Sequence, residues 1–584
     1  MDRLFKRTSY ATVTYLSKLW DFKIDPEDKG VTEKWFASFP KDTRKMMVPS
    51  CWNTEFDLFR YRGVAWYSTT FEIGSPNIYL NFDAVQNEAD VYLDGVHLGN
   101  HYGGFLAFGY EVNGLALGEH TLTVRVNNEL NSIDTLPGKL LDWYNYGGIA
   151  RGVYVRELSD AWIRDYKISY ELENNLSDAR VSISAKIKTF CEMDGEFTVY
   201  VNDGLVYTEP IKISGDEEIK CEFQLKDVRL WRIYKPNLYT VRLAYGKEDI
   251  YERIGFREIK TSGRDIFLNG EKIKILGVNR HEEHPDFGFS MPFNLIKRDI
   301  DIAKDMNCNA IRTSHYPNSK KTADYCDEIG MLFWSEIPMW NISVEATVNP
   351  KTVERALSME REMILENYHH PSIIFWGMHN ECATDTEEVF ALTERMVKLA
   401  KSLDTSRLIT YASNKTKLDT RREICFSLAD VVSVNHYIGW YFPVENGDWN
   451  DFMQEYEDVL MSCNSCDKPF IMSEFGYAAL LGTNSFDYSR WTEDYQADAL
   501  EFTLGQILGN EKISGGYIWQ FADMHSEQND ISRPRCCNNK GILDEYRRPK
   551  RAYRVVRKIY GEHLGGVKPQ YKTTLFGYKH KEEK

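Results

Sequence analysis

The chain lacks any apolar run approaching the ~18 residues needed to cross a bilayer, which argues against a helical membrane protein. Its opening stretch, MDRLFKRTSYATVTYL, mixes charge and polarity without the apolar segment of a signal peptide. The expectation is therefore a cytoplasmic location with no membrane partner. Positive charge is in deficit: 71 Lys and Arg face 87 Asp and Glu, a formal net charge of −16. That balance argues against nucleic acid or an anionic membrane as the main partner. It leaves room for a small anionic substrate, because a pocket needs only one or two local cations. Paired-cysteine patterns are missing too. The 11 cysteines are odd in number and scattered, so reduced thiols are expected. Cys463-Asn464-Ser465-Cys466 is a lone CxxC with no second pair, and Cys536-Cys537 is an isolated doublet. Neither makes a metal site, and no metal or cofactor is expected.

What is present suits several globular domains. A chain of 584 residues with 43% hydrophobic and 14% aromatic content is too long for one core. Residues 1–160 read as short strands that alternate apolar and polar, as in Ile78–Phe82 and Thr121–Val126, with a hairpin turn at Asp94-Gly95. The expectation is a jelly-roll β-sandwich. Residues 161–256 form a second all-β block. Val181 to Lys188 alternates without a fault, Asn202-Asp203-Gly204 turns the chain, and the spacing fits an immunoglobulin-like sandwich.

From residue 257 to 584 short apolar strands alternate with amphipathic helices. Eight candidate strands can be marked: Ile273–His281, Asn309–Tyr316, Met331–Pro338, Ser372–Glu381, Leu408–Ser413, Val431–Tyr437, Pro469–Gly476 and Ile513–Phe521. Eight βα repeats in this length predict a (β/α)₈ TIM barrel followed by a solvated, frayed KHKEEK tail. Two strands end alike. Ile373-Ile374-Phe375-Trp376 leads to Asn380-Glu381, and Phe470-Ile471-Met472 leads to Ser473-Glu474. Chemistry in such a barrel sits at the carboxyl ends of the strands. Two glutamates delivered there are what a glycosidase needs, one as proton donor and one as nucleophile. Asn279-Arg280-His281, Ser314-His315-Tyr316, Glu336, Asn435-His436-Tyr437 and Trp519 fall at the same rim. Taken singly, each is an ordinary structural polar group. Their common placement is what points to a site.

The architecture and these motifs resemble glycoside hydrolase family 2 and, within it, the β-glucuronidases. Phe267-Leu268-Asn269-Gly270 with Leu276-Gly277-Val278-Asn279-Arg280-His281 resembles the entry into that family's barrel. His379-Asn380-Glu381 resembles its acid/base motif, and Ser473-Glu474-Phe475-Gly476 its nucleophile motif. The resemblance implies Glu381 as general acid/base and Glu474 as nucleophile of a retaining reaction, with the carboxyl groups about 5 Å apart. It further implies Asn380 on the sugar 2-hydroxyl and Tyr437 orienting the nucleophile. Trp519 and His315 would be substrate contacts, and Asp142 would reach in from the first sandwich. Asn538 and Lys540, an Asn-x-Lys pair, would bind a glucuronide carboxylate. Cys382 departs from the proline usual after the acid/base glutamate. Pro338 to Pro350 is short where some bacterial members carry a long insertion, which implies an open aglycone side. A homo-oligomer is also expected. The rival readings are a β-galactosidase or galacturonidase of the same fold, or a carbohydrate-binding protein without catalysis.

Overall fold

A computed structural model of the chain describes residues 8–415, 423–441 and 449–566. The KHKEEK tail lies outside the described residues. The first unit is a sandwich of a four-stranded and a six-stranded antiparallel sheet, built from segments between Val13 and Glu157. Its inner faces bury Trp20, Phe22, Tyr67, Leu80, Val91 and Val124. Asp94 and Gly95 both take positive φ, 50° and 79°, which a two-residue hairpin turn of the primed type requires. The second unit packs a three-stranded sheet on a four-stranded one between Ala161 and Ile254. Asp178–Thr189 alternates buried and half-buried residues as its sequence does, and Asn202 and Asp203 turn the chain at positive φ.

A short antiparallel meander, Ile259–Ser262, Asp265–Leu268 and Glu271–Ile273, precedes the barrel. The barrel itself is a closed ring of eight parallel strands. They are β1 (Ile275–Asn279), β2 (Ala310–Arg312), β3 (Leu332–Glu336), β4 (Ile373–Asn380), β5 (Leu408–Ser413), β6 (Val432–Asn435), β7 (Phe470–Phe475) and β8 (Gly515–Ile518). Each lies within a segment marked from sequence, because a strand buried on both faces reads as an unbroken apolar run. Among the described residues, seven helices of ten residues or more surround the ring: α1 (Phe293–Asp305), α2 (Lys320–Ile329), α3 (Pro350–Glu366), α4 (Glu387–Leu403), α5 (Trp449–Ser462), α6 (Glu493–Gly509) and α7 (Arg551–Leu564). After β5 the described residues hold only a single 3₁₀ turn, Cys425–Ser427. No helix among the described residues is long and apolar enough to cross a membrane.

The lower barrel is filled by Trp334, Phe375 and Tyr517 with Ile275, Ala310 and Ile471. Gly377 makes this possible: a Cβ there would lie 2.3 Å from the Trp334 indole nitrogen. The upper end is covered by the first sandwich, whose segment 129–148 crosses to the barrel. Asp134 pairs with Lys351, Tyr102 lies under the Arg355 guanidinium, and Tyr146 donates to Glu283.

Candidate active site

Residues alternate faces along a strand, and β4 uses this before breaking it. His379 points outward and bonds Thr393 of α4, with burial pulling its pKa down to about 3, so it packs as a neutral ring. Asn380 points inward. Glu381 would follow the pleat outward, but its φ of +53° turns it back. Asn435 Nδ2, at the end of β6, therefore reaches both side chains, 3.1 Å from Asn380 Oδ1 and 2.9 Å from Glu381 Oε1. Burial raises the Glu381 carboxyl to about 7, and the neighbouring charge of Glu474 adds to the effect.

Glu474 ends β7 in a different environment. Arg312 Nη1 donates to its Oε1 at 2.8 Å and the Tyr437 hydroxyl to its Oε2 at 2.7 Å. Arg312 is fully buried at the end of β2. It also donates to both oxygens of Glu336 at 2.9 Å, to Asn279 Oδ1 at 3.1 Å and to Asn380 Oδ1 at 2.8 Å. Glu336 is buried, which would raise its pKa, but Arg312 and His315 hold it below the usual range. Glu474, Arg312, Asn380, Asn435 and Glu381 form one continuous hydrogen-bonded chain. Asn380 Nδ2 is buried and has no hydrogen-bond partner among the described residues.

An aromatic wall flanks the two glutamates. The His315 ring stacks on Trp519 at 5.2 Å between centroids, and Trp143 from the first sandwich meets His315 at 5.8 Å. His315 Nδ1 lies 2.8 Å from Glu336 Oε1 and its Nε2 3.7 Å from Glu474 Oε1. His315 thus belongs to the Arg312–Glu336 network as well as to the wall. His436 packs against Phe452 of α5, with burial lowering its pKa to about 3. It lies outside the glutamate cluster.

Asp142 and Asn538 meet directly. Asn538 Nδ2 donates to Asp142 Oδ2 at 2.8 Å, and Arg533 grips both Asp142 oxygens at 2.7 and 2.8 Å. Asn538 Oδ1 accepts from the Lys540 backbone N–H at 3.3 Å. Lys540 is 2% exposed, and no carboxylate of the described residues pairs with it. Its ammonium donates to the Tyr441 hydroxyl at 2.7 Å and lies 5.7, 5.6 and 4.7 Å from the ring centroids of Tyr437, Trp440 and Tyr441. Cations favour such ring faces. Since Tyr437 also holds Glu474, the caged ammonium is one residue removed from that carboxylate.

The structure therefore brings Glu381, Glu474, Asn380, Tyr437, His315 and Trp519 into one centre, with Asp142, Asn538 and Lys540 on its flank. Cys382 is fully buried, its Sγ 3.7 and 3.8 Å from the Asn380 and Met339 carbonyls. Burial raises its thiol to about 12, which makes it an inert side chain. All eleven cysteines are free thiols. The sequence places Asn435 at the rim without giving it a role, and it does not single out Arg312, Arg533, Trp440 or Tyr441. Arg312 and Asn435 were visible as polar residues ending strands. Arg533 carried no local signal.

The chain matches the sugar-binding domain of glycosyl hydrolases family 2 over residues 13–159, a second domain of that family over 161–257 and its TIM barrel domain over 259–563. A β-glucuronidase of Paenibacillus borealis is 27% identical, with 95% of this chain and 98% of the relative aligned. A solved β-galacturonidase from Eisenbergiella tayi bound to galacturonate is 34% identical with a TM-score of 0.86, over 96% of this chain and 99% of that one. A Ruminococcus gnavus β-glucuronidase in complex with D-glucuronic acid is 27% identical with a TM-score of 0.84, covering 94% and 98%. Three consecutive domain matches, the closed barrel and the paired glutamates lead to one conclusion: the chain is a glycoside hydrolase belonging to glycosyl hydrolases family 2.

Proposed function

We propose that the chain is a retaining β-uronidase that hydrolyses β-D-glucuronides to the uronic acid and a free aglycone. The observation that carries this reading is Lys540, a buried ammonium in an aromatic cage beside the nucleophile's tyrosine, with no carboxylate of the described residues to pair with. A uronide carboxylate supplies that partner. A neutral hexose leaves the ammonium unpaired, at a cost of a few kcal/mol, which disfavours a β-galactosidase.

The two glutamates are suited to different tasks. Glu381, raised to about 7, keeps its proton in a large share of molecules near neutral pH and can give it to the departing aglycone oxygen. Glu474 accepts from Arg312 and Tyr437, so its carboxylate is oriented to attack the anomeric carbon. The C–O bond to the aglycone breaks as a bond to Glu474 forms. Glycosylation removes the charge that helps raise Glu381. Glu381 then ionises more readily and takes a proton from the water that releases the sugar. Asn380 Nδ2, without a partner among the described residues, is the donor for the 2-hydroxyl. A binding protein without catalysis has no use for this division of roles.

Galacturonides are a second reading, favoured by the 34% identity to the Eisenbergiella tayi enzyme. The two sugars differ only at C4, and both present the carboxylate. The test is kcat/KM for 4-nitrophenyl β-D-glucuronide, β-D-galacturonide and β-D-glucoside with wild type and Lys540→Ala. Loss of the caged ammonium should lower uronide turnover by roughly thirty- to several-thousand-fold and spare the glucoside. Equal losses on all three would remove the warrant for a uronide. The ratio of the two uronides in wild type decides between them.

A further inference from the structure

Lys540 is a long side chain on a turn, and its cage can work only if the backbone beneath it is fixed. The backbone on each side of it is gripped by one buried ion pair. Lys550, its side chain fully buried, uses all three of its N–H donors: to the Asn539 carbonyl at 3.1 Å, the Ala479 carbonyl at 2.7 Å and Asp523 Oδ1 at 2.7 Å. That same Asp523 oxygen accepts the Gly541 N–H at 2.9 Å. Asn539 and Gly541 are the two neighbours of Lys540. Its own carbonyl accepts from the Gln520 backbone at 3.0 Å, and Gln496 Nε2 donates to the Gly541 carbonyl at 2.9 Å. At Gly541 a Cβ would come within 2.2 Å of the Asp523 nitrogen, so the approach of the two segments is as close as backbone allows. Neither Asp523 nor Lys550 hydrogen-bonds the Lys540 ammonium, which donates to the Tyr441 hydroxyl.

We propose that Asp523 and Lys550 are positioning residues for uronate selectivity, setting the place of the Lys540 ammonium in its cage by clamping the backbone on both sides of it. The arrangement is costly for a purely structural tie. Asp523 Oδ2 is buried without a hydrogen-bond partner among the described residues, and replacing such a pair by apolar groups is often neutral or stabilising. A displacement of about 1 Å in a substrate-holding group can cost about a hundredfold in rate. The effect of losing the clamp therefore falls on substrates that use the ammonium.

The inference rests on the reading of Lys540 as the carboxylate's partner, so the experiment includes Lys540→Ala as its reference. The measured quantity is the ratio of kcat/KM on the better 4-nitrophenyl β-D-uronide to that on the matching neutral glycoside. It is determined in full-length wild type, Lys540→Ala, Lys550→Met and the double variant Asp523→Leu/Lys550→Met. The double variant replaces the pair by apolar side chains, leaves no lone buried charge and guards against misfolding of the single one. Thermal melting confirms the fold of each. The expected result is a roughly tenfold or larger fall of the ratio in both clamp variants, appearing in KM for the uronide, with kcat on the neutral glycoside within about threefold of wild type. An unchanged ratio in the folded double variant, or equal losses on both substrates, overturns the proposal and makes the pair structural only. If Lys540→Ala itself leaves the ratio unchanged, it is the uronide reading that fails.

Discussion

Arg312 Nη1 stands 2.8 Å from Glu474 Oε1, and the same guanidinium places Nη2 2.8 Å from Asn380 Oδ1. One planar group at the end of β2 thus fixes Glu474 on β7 and, on β4, the amide that precedes Glu381. Five donors in a rigid fork suit this use, and a lysine cannot reproduce it. Arg312→Lys should lower kcat by at least about a hundredfold on every β-glycoside the enzyme cleaves. Steady-state kinetics with circular dichroism to confirm folding would test this, and near-normal turnover would remove Arg312 from the catalytic network.

Separate roles for the glutamates predict separate kinetic signatures. Glu474→Gln should abolish turnover with the fold intact. Glu381→Gln should still form the glycosyl-enzyme with an activated aryl glycoside, giving a burst of phenol and then a stall. Mass spectrometry of the quenched protein should find the sugar on Glu474. Proton NMR should show the β anomer as first product, and early appearance of the α anomer would rule out retention.

The raised Glu381 carboxyl sets a pH limit with a definite sign. The acid must be protonated at the start, so kcat/KM should fall as pH rises through about 7. Neutralising the nearby Glu474 charge should lower that value. A pH–rate profile on an unactivated glycoside flat to pH 9 would contradict the assignment of Glu381 as acid.

Asp142 reaches barrel loops from the other end of the chain, with Arg533 on both its oxygens and Asn538 on one. Asp142→Ala should release both partners and lower kcat/KM on uronides by roughly tenfold to a thousandfold. The stability loss should stay within about 1–3 kcal/mol, because the site is local. A barrel expressed from about residue 257 onward should be nearly inactive. An active isolated barrel would reduce the first sandwich to a scaffold.

Glu360 on α3 offers a stability test remote from catalysis. It is fully buried, neither carboxyl oxygen has a hydrogen-bond partner among the described residues, and burial raises its pKa well above the usual carboxylate range. The folded chain holds the proton while the unfolded chain releases it above about pH 4.3. This group therefore costs stability increasingly as pH rises from there. Glu360→Met should raise the melting temperature, and more at pH 8 than at pH 5. A pH-independent shift in calorimetry would show that the carboxyl is not the cause.

The eight barrel strands, and the two glutamates at the ends of β4 and β7, are legible in the amino-acid order alone. Strands buried on both faces must be apolar throughout, so each ends visibly where a polar residue intrudes. That order also determined the sandwich hairpins, because turns such as Asp94-Gly95 and Asn202-Asp203 need residues that accept positive φ. The tertiary structure alone decided how the ends are wired. Arg312 and Glu474 lie 162 residues apart, and Asp142 and Arg533 lie 391 apart. No local pattern encodes such pairs, since they exist only once the barrel has closed and the sandwich has docked. The same holds for the cage around Lys540 and the clamp beneath it. An Asn-x-Lys triplet is common text, and burial among three aromatic rings gives this lysine a reason to hold an anion.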